Sequence, residues 1–256
     1  MDLLSSRRSY LLAPALFFIA VAALLAIWAA MPPEALRTAF DSDGRSPFEL
    51  MTLPLYALIV PAVWIACPFG GSFRRKAALA AAVSAVVVVA IMKQLDLHID
   101  LLAAAYPDAV ANFKGTPFKM RFLTRSGIPA GAKCMVIAYF VLLFGIFGAL
   151  ALSFSVKFVK GVLRLDPTSW SFGCFLASGA MAQVFDRLPA WYREVTGVAK
   201  SDIPASALSL FTALEEGGEM MMALFALLAV LQAHIIVNRK SGNEAASVRP
   251  APANMV

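Results

Sequence analysis

The stretch CMVIAYFVLLFGIFGALALSF, Cys134–Phe154, decides the class of fold. Its 21 residues carry no charge, and at about 1.5 Å of rise per residue a helix of this length crosses a hydrocarbon layer of roughly 30 Å. Leu11–Met31, Leu50–Phe69, Ala77–Met92, Trp170–Phe185 and Gly218–Val237 read as further spans. The whole chain agrees: 256 residues, 60% hydrophobic, only 15% charged, mean hydropathy +0.75. The expected fold is all-α, a polytopic transmembrane helix bundle of about six spans. It occupies residues 1–240, with a long interfacial loop between spans three and four and a disordered cytoplasmic tail over 241–256.

Individual runs add detail. Leu11–Met31 follows Arg7 and Arg8 like the apolar region of a signal peptide, but it exceeds the usual length of about 7–15 residues and reads as a retained anchor. Pro54 and Pro61 inside span two suggest kinks, since neighbouring helices can satisfy the carbonyls a proline releases. Gly145, Gly148 and Ala149 in span four are small enough to let two helices approach closely. Trp170–Phe185 is short and holds Ser, Cys, Gly and Gln, which suits a tilted or centrally packed helix. Between spans three and four, Lys93–Lys133 is too polar to cross. Its apolar pieces, Ile99–Tyr106 and Phe118–Leu123, read as interfacial or re-entrant helices.

With six spans both ends lie on one side. The terminal segments and the loops after spans two and four hold 11 basic residues against Asp2, Asp166 and Glu244, a net of +8. The opposite side holds the other 11 basic residues against 13 acids, a net of −2. The positive-inside rule then puts both termini in the cytoplasm, for a multi-pass protein of a bacterial cell inner membrane. Because the basic residues are dispersed between apolar runs, the pI of 9.4 implies no nucleic-acid partner. The expected partners are the lipid bilayer and another membrane protein.

Ionisable groups gather where the spans end on the outer side. Glu49 opens span two, Lys93, Asp96, His98 and Asp100 follow span three, and Lys133 opens span four. Asp186 and Arg187 close span five, and Glu215, Glu216 and Glu219 open span six. Charges at this depth are costly unless paired or solvated, so these groups are expected to meet in a polar layer. Glu219 lies three and four positions from Glu216 and Glu215, which places the three acids on neighbouring parts of one helix surface. One reading makes them caps at the start of span six, favoured by the helix dipole and paired with Arg187, Lys93 or Lys133. Another makes Asp96, His98, Glu216 and Glu219 a metal site, or His98, Glu216 and Glu219 acid/base groups. Arg121 and Arg125 are candidates for holding an anionic headgroup or substrate. His234 lies about 22 Å along the helix from Glu219 and belongs to a different layer.

No recurring cofactor motif is present, and the cofactor is left unassigned. Cys67, Cys134 and Cys174 form no paired framework and read as small hydrophobes, and Met220–Met222 as packing residues. Three functional classes follow. An accessory or assembly factor needs only the polar layer and a partner surface. A membrane-embedded hydrolase or transferase needs His98 to converge with Glu216 or Glu219. A small proton-coupled transporter needs polar groups through the depth of the membrane.

Overall fold

The computed structural model describes residues 9–40, 46–66, 72–113, 117–118 and 120–247. Among them the chain is helical, in the order α1 (Leu12–Ala30), α2 (Pro33–Phe40), α3 (Pro47–Ala66), α4 (Phe73–Gln94), α5 (Leu97–Ala105), α6 (Pro107–Ala111), α7 (Met120–Thr124), α8 (Ala130–Leu163), α9 (Pro167–Thr196) and α10 (Ala205–Ser247). Five segments are long and apolar enough to cross a membrane: Ser9–Ala30, Pro47–Ala66, Phe73–Gln94, Ala130–Leu150 and Ala205–Asn238. The protein is therefore an all-α polytopic membrane helix bundle. The expected fifth span, Trp170–Phe185, lies within α9, a helix of 30 residues and about 45 Å that is not among these five. Its composition is more polar than theirs, and its small residues Ser171, Ser178 and Cys174 are buried against the bundle.

α10 is the hub, packing against α9, α3, α2 and α1. Contacts fix the directions. Ser171 on α9 meets Gln232, while Ser178 and Ala182 adjoin Gly218, so α9 and α10 run antiparallel. Tyr56 reaches residue 219 and Ala66 reaches His234, so α3 and α10 run parallel. The Tyr10 and Trp170 rings lie 6.1 Å apart, which puts the start of α1 beside the Ser171–Gln232 level. At the other end of α1, the Trp28 indole donates to the Ser206 carbonyl. Successive long helices thus alternate in direction. Inside a bilayer no hydrophobic force draws helices together, so this arrangement rests on close packing and interhelical polar contacts.

Three buried clusters result. One joins α1, α2, α9 and α10 around Leu24, Leu36, Met221 and Phe225. A second joins α3, α4 and α10 around Tyr56, Val63, Val87 and Ala223. The third is a separate cap: α5, α6 and α7 close over the start of α8 through Leu102, Phe113, Phe122 and Val136. The connection after α4 is thus folded, with α5 and α7 close to the two apolar pieces seen in the sequence. α6 and α2, too short for a periodic signal, were not anticipated.

Several boundaries differ from expectation. α10 starts at Ala205, 13 residues before Gly218, and runs on to Ser247, into the segment expected to be a tail. No proline lies between Ala205 and Ser247 to interrupt a helix. As expected of a span rather than a loop, α3 continues through Pro54 and Pro61. Gly145 and Gly148 face open space rather than a neighbouring helix, so α8 makes no close approach there. Cys174 is buried in the first cluster and Cys134 is exposed, both as free thiols; Cys67 lies outside the described residues.

Candidate functional site

Glu215, Glu216 and Glu219 stand in the interior of α10, about three turns from its start. They cannot be caps, because the helix dipole acts only within the first turn. Gly217 and Gly218, which the sequence suggests as the helix start, are packing positions instead. A Cβ on Gly217 would collide with Leu24 of α1, and one on Gly218 would lie 2.9 Å from the Ser178 carbonyl oxygen of α9. Glycine here brings three helices together beside the acids.

On the opposite flank, α3 and α4 close on the same residue. The Lys93 ammonium at the end of α4 pairs with the Glu219 carboxylate, and the Tyr56 hydroxyl of α3 donates to the Glu219 backbone carbonyl at 3.2 Å. The Glu219 side chain is 15% exposed and that of Lys93 is 58% exposed. A lysine stem can lie along an apolar surface while its charged end reaches a partner. Glu216 has one carboxyl oxygen buried with no hydrogen-bond partner, and Glu219, Glu215, Glu49 and Lys93 are the charges that act on it.

Glu49 has a local task as well. Its carboxylate accepts the Ser46 backbone N–H at 2.7 Å, while its own backbone N–H donates to the Ser46 hydroxyl at 3.1 Å. With Pro47 between them this is a capping box at the start of α3. Stacking of Phe40 on Phe48, 4.2 Å apart, locks the approach of α2 to that start.

Asp96 and His98 serve the turn from α4 into α5. Asp96 adopts left-handed backbone at φ 52°, a region that aspartate visits more readily than most side chains. The His98 ring packs edge-on to Phe118 at 4.5 Å and stacks on Tyr139 at 5.5 Å, with Nδ1 3.3 Å from the Met92 carbonyl. Asp96, His98, Glu216 and Glu219 do not assemble a ligand set: among the described residues no group of three or more His, Cys, Asp and Glu side chains is placed to hold a metal ion.

Burial holds the His98 imidazole below the ordinary histidine value of 6.5, against the opposing pull of the Met92 carbonyl and Asp96. The unfolded chain therefore takes up the proton first as pH falls. The stabilisation from the neutral ring is complete above about pH 6.5 and is lost as pH drops from there toward the lowered folded value. Thermal unfolding in detergent between about pH 7.5 and 5 should show this loss, and His98→Gln should flatten it. An equal pH dependence in wild type and variant would assign it elsewhere.

The remaining candidates lie apart from Glu219. Lys133 stands in the first turn of α8, between Ala132 and Val136 of the cap core. Arg187 pairs with the adjacent Asp186 through Nε at 3.5 Å, and Gln183 donates to the same carboxylate. Arg121 and Arg125 both lie over the Phe113 ring, at 5.4 and 5.7 Å. In the opposite layer, Nδ1 of His234 is 2.9 Å from the Ala66 carbonyl and its Nε2 is 3.0 Å from Nδ2 of Asn238. Tyr56 is the member of the site that sequence reading missed. Its signal was a phenol inside an apolar span, where a buried hydroxyl needs a partner.

Comparison with family models, with curated proteins and with solved structures gives no match.

Proposed function

We propose that this chain is an accessory or assembly factor of the bacterial inner membrane that receives a helix of another membrane protein along α8. The observation that carries this reading is the outer surface of α8. Gly145, Gly148, Leu152, Val156, Val159 and Leu163 recur every three or four residues, the spacing of one helix seam. That seam is bare: Leu152 is 82% exposed and Leu163 78%, and both glycines face open space. Small residues on a helix surface let a second membrane helix approach closely.

The polar centre supports the same reading. The Lys93–Glu219 ion pair and the Tyr56 hydrogen bond join α4 and α3 to α10, while the His98 ring packs against Phe118 and Tyr139. Orientation with both termini in the cytoplasm is supported by the +8 against −2 charge split. It also suits the shared end at which α1 begins and α10 passes Gln232.

A photo-crosslinking residue at Leu152 or Val156 should give a discrete adduct with a different membrane protein in cells. The same residue at Val88, an exposed apolar position on α4, should not. Gly148→Leu should suppress the Leu152 adduct. An adduct of twice the chain's mass would make the occupant a second copy, and absence of a discrete adduct would leave the seam to lipid; either result overturns the accessory reading. Reporter fusions at Lys160 and the C-terminus should both report the cytoplasm.

A further inference from the structure

A second surface feature forms where the cap meets the bundle. Arg121 of α7 and Arg187 of α9, far apart in sequence, line one cleft of about 580 Å³ together with Phe118, Met120, Phe140 and Phe144. We infer that this cleft holds one anionic phospholipid of the surrounding membrane, its phosphate between the two guanidinium groups and an acyl chain along Phe140 and Phe144.

Depth supports the assignment. Arg187 lies 20 residues along α9 from Pro167, about 30 Å, and Phe140 lies 23 residues back along α8 from Leu163, about 35 Å. Arg187 is thus about one hydrocarbon thickness from the α8–α9 turn, while Phe140 and Phe144 lie within the apolar span Ala130–Leu150. Arg187 therefore stands at headgroup level and the two phenylalanines inside the hydrocarbon, where an acyl chain lies.

Chemistry selects the ligand. A guanidinium presents a planar fork of donors matched to phosphate oxygens, and two of them favour an anionic headgroup over a zwitterionic one. Asp186 engages Arg187 at Nε, which uses one of five N–H donors. Phe113 stacks beneath Arg121 and fixes its position, with Arg125 adding a third positive charge on the same ring. The apolar walls favour a lipid over a free anion: Phe144 is 65% exposed and Met120 72%, and an acyl chain would cover surface that inorganic phosphate leaves bare. This site stands whether or not α8 meets a partner helix.

Native mass spectrometry of the purified full chain tests it, with phosphatidylglycerol or phosphatidylcholine added to the detergent. The wild type should retain one phosphatidylglycerol at collision energies that strip phosphatidylcholine, a preference of about tenfold or more in occupancy. Arg121→Gln and Arg187→Gln should each reduce that preference several-fold, and the double variant should abolish it. Arg187→Lys should fall between wild type and Arg187→Gln, because it keeps the charge and loses the fork. Arg193→Gln, which removes the same charge two turns further along α9, should retain the preference, and circular dichroism should show all variants folded. Equal retention of the two lipids, or an unchanged preference in the double variant, would overturn the assignment. Displacement of bound phosphatidylglycerol by inorganic phosphate would make the site one for free anions and overturn it as well.

Discussion

Lys93→Met should destabilise the detergent-solubilised protein by about 2–3 kcal/mol, whereas Glu219→Gln should cost only about 1 kcal/mol. The asymmetry follows from where each partner can go. Without Lys93, the largely buried Glu219 carboxylate is left among Glu215 and Glu216 with no other ion pair among the described residues. Removing one partner of a fully buried pair costs about 3–5 kcal/mol, and the smaller figure here reflects the 58% exposure of Lys93. Without the Glu219 charge, by contrast, the Lys93 ammonium can swing outward on its flexible stem and be solvated. The glutamine keeps the size of the side chain, and the Tyr56 hydrogen bond survives because it goes to the backbone. The double variant Lys93→Met/Glu219→Gln should be more stable than Lys93→Met alone, which a double-mutant cycle of thermal unfolding would measure. Equal losses in the two single variants, with no recovery in the double, would show that the pair does not hold α4 to α10.

Gly218→Val should separate α9 from α10 and lower the yield of folded protein, at a cost of about 3 kcal/mol or more. Any Cβ at residue 218 sits 2.9 Å from the Ser178 carbonyl oxygen and 3.0 Å from the Ala182 backbone nitrogen, and backbone atoms cannot move aside as a side chain can. Overpacking of a core ordinarily costs about 1–3 kcal/mol, and an obstruction made of backbone belongs at or above the top of that range. Gly217→Ala should be milder, because the obstruction is the far end of Leu24, a side chain able to change rotamer. Gly145→Ala meets open space and removes a helix-interior glycine, so it should be neutral or stabilising by up to about 1 kcal/mol. Size-exclusion profiles and unfolding midpoints of the three variants should fall in that order. A folded, wild-type-like Gly218→Val would mean that α9 and α10 are not in contact at this level.

These two predictions also mark where sequence reading stops. The Glu-Glu-Gly-Gly-Glu segment looks like a helix start, since acids favour an N-terminal end and glycine weakens a helix interior. Within the bundle that local cost is outweighed: glycine at 217 and 218 lets α1 and α9 approach, and α10 continues through the acids from Ala205. Ser46-Pro47-Phe48-Glu49 shows the converse. Its capping pattern is legible in sequence, yet Glu49 draws attention first as an acid at a membrane boundary.

What the sequence determined by itself is the class of fold and the existence of the long apolar helices. Transfer free energy adds up over some twenty consecutive residues, so a single long apolar run is informative without its neighbours. The pairing of Lys93 with Glu219 was among the sequence expectations for the same reason, because both residues end apolar runs at one depth. Only the tertiary structure decided which lysine or arginine reached which acid. It placed the Tyr56 hydroxyl on the residue 219 carbonyl, left the α8 seam bare and brought Arg187 into one cleft with Arg121. These outcomes depend on the rotation and approach of helices about their axes, set by contacts between residues distant in the chain, and no local period or composition encodes them.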